Sequence, residues 1–172
     1  KKWLAVGNNI LIVTKPILSC VKAMCDELEP YKNQITFRFT IGSSDNDILR
    51  FWEGDCPSFE ERFEALQWAY RRGYKTSVSA EPYLDENVVN LVNTLLPFVT
   101  DTIWVGLMNN IRNRVDTQGW TKEDFKYLDR VKSSQTTNKI KEIYNNLFFL
   151  DNVRWKDSIR RVLGLPEEDG IG

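Results

Sequence analysis

Side chains that could bind a ligand recur at wide spacing along this chain. Lys15 could hold a carboxylate or a phosphate as a point charge. Glu81 could bind an amino or ribosyl group, and the polar loop that begins at Ser43 could hydrogen-bond ribose or amine groups. Asn109 repeats the pattern with an amide. Plainer interpretations stay open: a solvated lysine, turn chemistry for the loop and a structural ion pair for Glu81.

The commonest catalytic devices are missing from this sequence. It contains no histidine, which excludes Ser-His and Cys-His catalysis. Its three cysteines, Cys20, Cys25 and Cys56, lack the spacing of a zinc site or a redox pair, and we interpret them as buried, inert thiols. No glycine-rich phosphate loop occurs, and no two carboxylates have a convincing catalytic spacing. We therefore assign no catalytic residue and no metal ligand.

Four short apolar segments must position the candidate side chains, because each segment ends just before polar residues. They are Ile10–Val13, Ile35–Ile41, Thr76–Ala80 and Thr102–Leu107. Continuous runs rich in β-branched residues, with helical stretches between them, are typical of parallel strands in βα units. Ligands of such sheets bind beyond the carboxyl ends of the strands. The sequence predicts an α/β fold, a partial (β/α) barrel with mainly parallel strands.

Helical periodicity between these strands predicts the connecting helices. They cover Pro16–Leu28, 58–73 and 85–95, the last beginning at Asp85 as N-cap. Ser58 and Glu61 are spaced as a capping box. The segment 42–57 is predicted as a long loop, a length that often accompanies function.

The strand signal stops at Arg112, which divides the chain into two regions. Residues 1–111 form the barrel-like part, and residues 112–172 form a helical C-terminal extension. Its helices are predicted over Thr121–Val131, Asn138–Leu147 and Trp155–Leu163. Residues 1–111 carry 11 basic and 14 acidic side chains (net −3), whereas 112–161 carry 12 and 7 (net +5). A basic segment can attract a nucleic-acid backbone, but solvated helix surfaces explain the same charges.

Arg38 and Thr40 alternate with apolar residues on the second predicted strand. One of these two sets faces the interior of a barrel, where an arginine is costly unless it is paired with an anion. Glu81, on the neighbouring strand, is a candidate partner. A structural ion pair and a ligand contact both remain open for Arg38.

Composition places the chain among ordinary globular proteins. It has 172 residues, 42% hydrophobic and 27% charged, with a mean hydropathy of −0.41. No apolar stretch approaches the roughly 20 residues that span a bilayer, so no membrane partner is expected. Three unevenly spaced cysteines fit a reduced, cytoplasmic setting better than a disulfide framework.

Four segments together are similar to a known family. They are Leu11–Pro16, Ile35–Ile41, Glu53–Arg62 and Gly73–Pro82. Residues 5 to 110 resemble the second half of a radical S-adenosylmethionine (SAM) domain, nearest to the spore photoproduct lyase-like branch, also labelled DNA repair photolyases.

The resemblance implies a partial (β/α)6 barrel that holds SAM and a [4Fe-4S] cluster and generates a 5'-deoxyadenosyl radical. Lys15 matches the lysine that meets the SAM carboxylate. Thr40 or Ser43 matches the polar residue that touches the ribose or amino-acid part, and Glu81 and Asn109 would line the same cavity.

The family's Cys-x-x-x-Cys-x-x-Cys cluster motif is missing from this chain. Thiolates are the ligands of such a cluster, so we expect this chain alone not to bind one. The chain opens on Lys1 without an initiator Met, and we expect the first two βα units to lie upstream. Four strands would leave an open edge, which predicts a homodimer through that edge or pairing with the missing half.

Three functions remain in view. The leading hypothesis is the C-terminal portion of a lyase-like radical SAM enzyme that acts on a nucleic-acid or nucleotide-like substrate. The second is an unrelated (β/α) barrel enzyme that binds a phosphorylated or carboxylated metabolite through Lys15 and Arg38. The third is a non-catalytic barrel fragment that acts as an interaction module.

Overall fold

Five parallel strands form one sheet, in the same order as they occur along the chain. The structure, a computed structural model, describes residues 1–84 and 86–166. The strands are β1 (Ile10–Thr14), β2 (Ile35–Thr40), β3 (Lys75–Ala80), β4 (Ile103–Val105) and β5 (Val153–Trp155). Every neighbouring pair is parallel. The predicted α/β fold with parallel, barrel-like βα units and C-terminal helices is confirmed.

Nine α-helices precede, connect or follow the strands in the described residues. They are α1 (Lys2–Ala5), α2 (Leu18–Leu28), α3 (Asn46–Glu53), α4 (Phe59–Arg71), α5 (Val88–Leu95), α6 (Ile111–Arg114), α7 (Lys122–Ser134), α8 (Thr137–Leu147) and α9 (Asp157–Leu163). Short 3-10 helices follow α2 (Glu29–Gln34) and α5 (Leu96–Phe98). None of the helices in the described residues is long and apolar enough to cross a membrane.

One face of the sheet carries the hydrophobic core. On this face lie Phe37, Phe39, Val78, Ile103 and Val105, all of them fully buried. Apolar side chains from α2, α4, α5, α8 and α9 belong to the same core cluster. Helices on one face of a parallel sheet with sequential strand order are the arrangement of a (β/α) barrel wall.

The opposite face of the sheet, here called the open face, is more polar. By strand alternation it carries Leu11, Val13, Thr36, Arg38, Thr40, Lys75, Ser77, Ser79, Trp104 and Arg154. Leu11 and Val13 are 42% and 57% exposed although they are aliphatic. In a closed barrel the corresponding face lines the interior.

Strand β5 and helix α3 are the differences from the sequence-based expectation that bear on the site. The prediction that no strand follows Arg112 was wrong, because Val153–Trp155 forms β5 beside β4. Three residues are too few for a recognisable alternation. The predicted loop over residues 42–57 contains α3, whose N-cap Asp45 accepts hydrogen bonds from the backbone nitrogens of Asp47 and Ile48.

The start of α4 forms only half of the predicted capping box. Ser58 Oγ accepts a hydrogen bond from the Glu61 backbone nitrogen at 3.3 Å. The Glu61 carboxylate instead accepts one from the backbone nitrogen of Leu18, at 3.0 Å, and so joins α4 to the first turn of α2. The predicted N-cap Asp85 lies outside the described residues.

Candidate functional site

The parallel sheet brings the carboxyl ends of all five strands to one edge. Lys15 lies directly after β1 at this edge, and its side chain is 42% exposed. Its ammonium nitrogen is 3.4 Å from Oε1 of Glu53, the last residue of α3. The sequence placed Lys15 at the rim, but the carboxylate that holds it was not predicted.

Glu53 is itself held by a buried arginine. Its side chain is only 9% exposed, and its other oxygen, Oε2, pairs with Nη2 of Arg62. The guanidinium of Arg62, on α4, is fully buried and donates further hydrogen bonds to the carbonyl oxygens of Pro57 (2.8 Å) and Thr40 (3.2 Å). A buried arginine with this many acceptors is a rigid anchor.

The three side chains Lys15, Glu53 and Arg62, here called the rim triad, connect β1, α3 and α4. Because Arg62 occupies one carboxylate oxygen, only the other oxygen of Glu53 faces Lys15. The triad carries a net charge of +1, and the Lys15 ammonium is its solvent-exposed charged group. An ammonium fixed at the carboxyl ends of parallel strands is suited to bind the carboxylate or phosphate of a ligand.

Short polar contacts fix the position of α3 and therefore of Glu53. Asn46, at the start of α3, accepts a hydrogen bond from the Phe59 backbone nitrogen and donates one to Glu60, both at 2.8 Å. These two contacts join the first turns of α3 and α4. Ile48 and Leu49 of α3 pack against Leu84 beyond β3.

The predicted sites Thr40 and Ser43 lie close to this arrangement along the chain. Thr40 ends β2, and its carbonyl accepts from Arg62. Its side chain belongs to the open face. Ser43 is fully buried, and its hydroxyl accepts a hydrogen bond from the Asp45 backbone nitrogen at 2.9 Å. Ser43 therefore serves the turn that leads into α3.

Glu81 is the first residue after β3, and it pairs with a residue of the C-terminal region. Its Oε2 lies 3.2 Å from Nζ of Lys156, which directly follows β5. Gly106, after β4, lies between them: a Cβ atom there would be 2.8 Å from Glu81 Cγ and 3.0 Å from Lys156 Cβ. A larger residue than glycine would separate the two charged side chains.

Asn109 lies in an exposed turn before α6. The segment ahead of it is held by the C-terminal helices. The backbone nitrogen of Leu107 donates to Ser158 Oγ, and that of Met108 donates to Gln135 Oε1, both at 3.0 Å. The structure thus anchors the start of this loop and leaves Asn109 at its exposed end.

Glu81 was a candidate partner of Arg38 in the sequence, but the two side chains do not pair. Its Nε donates to Ser77 Oγ at 3.1 Å, and its guanidinium lies over the Trp104 ring, 5.5 Å from the centroid. Burial lowers the pKa of Arg38, and the charge of Asp101 partly opposes this. Glu81 has Lys156 as its partner because β5, which the sequence did not reveal, places Lys156 beside it.

The cysteines do not form a metal site. Cys20 is exposed, Cys25 is buried and Cys56 is half-buried, and all three are free thiols. Across residues 1–84 and 86–166, no three Cys, His, Asp or Glu side chains form a group that could hold a metal ion. The exposed position of Cys20 corrects the expectation that all three thiols are buried.

Comparison with family models, with curated proteins and with solved structures finds no match for this chain. The functional interpretation therefore depends on the side chains themselves. Sequence reasoning selected Lys15 and Glu81 but missed their partners, Glu53 and Lys156. Glu53 carried a usable signal, since it begins the Glu53–Arg62 motif.

Proposed function

We propose that this chain supplies the SAM-binding half of a radical SAM enzyme. The carboxylate of SAM binds the Lys15 ammonium, and the polar groups at the ends of β2 and β3 bind the amino-acid and ribose parts. The substrate class that accompanies this proposal is a nucleic acid or a nucleotide-like molecule. The three free cysteines favour a reduced, cytoplasmic setting.

The single observation that supports the proposal most is the rim triad. Lys15 would be a flexible surface lysine without Glu53, and without Arg62 the nearly buried carboxylate of Glu53 would have only the half-exposed Lys15 as a partner. The cost of burying Arg62 and Glu53 is offset only by a well-ordered set of hydrogen bonds. That order fixes the direction from which a ligand carboxylate reaches the ammonium. Thr40, the last residue of β2, and Glu81, the first residue after β3, lie at the same edge.

The iron–sulfur cluster of such an enzyme does not fit the described residues. Its thiolate ligands would need three cysteines in one group, and Cys20, Cys25 and Cys56 form no such group. A cluster carried by other residues would supply one electron to bound SAM, whose C5'–S bond would then break to give methionine and the 5'-deoxyadenosyl radical. The part played by this chain is to bind SAM and hold its orientation through Lys15.

The test is SAM binding by isothermal titration calorimetry, which needs no cluster. Lys15→Ala is compared with Lys22→Ala, a matched control whose lysine lies on α2 and pairs with exposed Glu64. Because one charge-assisted hydrogen bond is worth about 1.5–3 kcal/mol, Lys15→Ala should weaken SAM binding by about tenfold or more. Lys22→Ala should leave it unchanged. No binding by the wild-type chain, or equal binding by both variants, would reject the proposal.

The homodimer predicted from the open edge stays a prediction. β1 pairs only with β2 among the described strands, and exposed Leu11 and Val13 lie on it. Light scattering over a range of concentrations tests self-association. If the unpaired side of β1 is the dimer interface, Val13→Lys should shift the protein toward monomer, since charged side chains oppose edge-to-edge pairing.

A further inference from the structure

Arg38, in the middle of the open face, is held in one orientation by two neighbours. Its Nε donates to Ser77 Oγ, and Ser77 Oγ donates in turn to the carbonyl oxygen of Thr102 at 2.7 Å. Ser77 is fully buried, so its hydroxyl is a fixed acceptor. On its other side the guanidinium contacts the ring of Trp104. The plane of the guanidinium is therefore set by the fold.

The two terminal nitrogens of Arg38 are left for another partner. No described residue accepts a hydrogen bond from either of them, and no described carboxylate lies within ion-pair distance of the guanidinium. Arg38 is half-buried, and its burial lowers its pKa. An oriented, half-buried guanidinium whose terminal donors have no described partner is suited to bind an anion.

Basic side chains lie near Arg38, together with one carboxylate, Asp101, whose charge partly opposes the effect of burial on the pKa of Arg38. Lys75 belongs to the open face, and Lys156 follows β5 on the same side, with its ammonium 5.0 Å from the centroid of the Trp104 ring. Arg38 and Lys156 thus share one aromatic ring. Glu81 neutralises one of these charges through its pair with Lys156.

We propose that the open face binds a phosphate group of a small-molecule ligand, with Arg38 as its principal donor. The terminal nitrogens of an arginine form a fork that matches two oxygens of a phosphate. A phosphate group carries up to two negative charges, which suits a face with several cations better than a single carboxylate does. The Trp104 ring contacts the face of the guanidinium, and the phosphate binds the guanidinium edge that carries the two terminal nitrogens.

This site goes beyond the proposed SAM site and shares no anion-binding residue with it. The SAM carboxylate uses Lys15, held by Glu53 and Arg62, whereas the phosphate uses Arg38, held by Ser77 and Trp104. Each site can therefore fail without the other. A phosphorylated ligand on the open face would lie beside the carboxyl ends of the strands, where SAM is proposed to bind.

The experiment measures binding of inorganic phosphate by titration calorimetry at low ionic strength. Arg38→Gln removes the fork, and Arg38→Lys keeps the charge without the fork. Arg71→Gln is the matched control, since Arg71 is an exposed residue at the end of α4, away from the open face. Far-UV circular dichroism checks that each variant is folded. Arg38→Gln should weaken phosphate binding by about tenfold or more, and Arg38→Lys by less.

Adenosine 5'-monophosphate and adenosine then distinguish an esterified from a free phosphate. Tighter binding of the monophosphate than of inorganic phosphate, with no binding of adenosine, identifies a phosphate ester as the ligand. Equal binding of the two phosphates identifies free phosphate. The proposal is overturned if wild-type protein does not bind phosphate, or if Arg38→Gln and Arg71→Gln bind it equally. Lys15→Ala should leave phosphate binding unchanged, which separates this result from the SAM test.

Discussion

Arg62 and Glu53 form an ion pair in which the guanidinium is completely buried and the carboxylate nearly so. This pair joins the end of α3 to the first turns of α4 and places one carboxylate oxygen of Glu53 toward Lys15. The candidate site thus depends on a buried charge that no ligand needs to touch. Its energetic consequence can be measured without knowledge of the ligand.

Replacing Arg62 by methionine should destabilise the protein by about 3 to 5 kcal/mol, because it leaves Glu53 without its buried partner. Urea unfolding followed by far-UV circular dichroism measures the change. Arg50→Met is the control, since Arg50 forms an exposed pair with Asp47. Its free energy of unfolding should change by no more than about 0.5 kcal/mol. Similar losses in both variants would show that the buried pair has no special role.

A methyl group at Gly106 should interfere with the ion pair between Glu81 and Lys156. The added Cβ would lie within 3.0 Å of atoms of both side chains, so Gly106→Ala should cost about 1 to 3 kcal/mol of stability. The double variant Gly106→Ala, Glu81→Ala removes the nearest clashing atoms. A double-mutant cycle should therefore show that the two changes together cost less than the sum of their separate costs. Strict additivity would contradict the close approach.

The two cysteines of α2 should differ sharply in reactivity. Burial raises the pKa of the Cys25 thiol from its ordinary value of 9.0 to about 11, whereas Cys20 is exposed on the same helix. Only the thiolate reacts, and only where a reagent can reach it. Iodoacetamide under native conditions should label Cys20 and leave Cys25 unmodified, as read by peptide mass spectrometry. In urea both should react, and early labelling of Cys25 in the folded protein would contradict its burial.

Stability should fall as the pH rises above about 9. In the unfolded chain the Cys25 thiol ionises near 9.0, but in the folded protein it keeps its proton until about 11. Burial similarly raises the pKa of Tyr74 from 10.0 to about 12. A group with a raised pKa stabilises the fold fully below its unfolded pKa and loses that contribution as the pH approaches the folded value.

The measurement is the free energy of unfolding in urea at pH values from about 8 to about 11. The Cys25→Ala variant should be less stable at neutral pH because of the cavity, but its stability should fall less steeply just above pH 9. A wild-type stability that stays constant across this range would contradict the raised pKa values. An identical slope in Cys25→Ala would assign the effect to other groups.

The sequence by itself determined the central strands and the helices that cover them. The runs that form β1 to β4 are rich in β-branched residues, and α2, α4, α5, α7 and α8 show apolar residues at helical spacing. These periodicities are local, so they are visible without tertiary structure. The position of Lys15 and Glu81 at strand ends followed from the same patterns. Helix α3 and its N-cap Asp45 were missed, because the surrounding Gly, Ser, Asp and Asn residues are also typical of turns.

Only the tertiary structure decided the partners of these side chains. Glu53 reaches Lys15 because α3 lies against the start of α4, and Lys156 reaches Glu81 because the three-residue strand β5 joins the sheet beside β4. Each pairing joins residues far apart in the chain, and no local periodicity encodes which strand or helix lies next to which. The charge that remains for a ligand at Lys15 and at Arg38 is therefore a property of the packed structure.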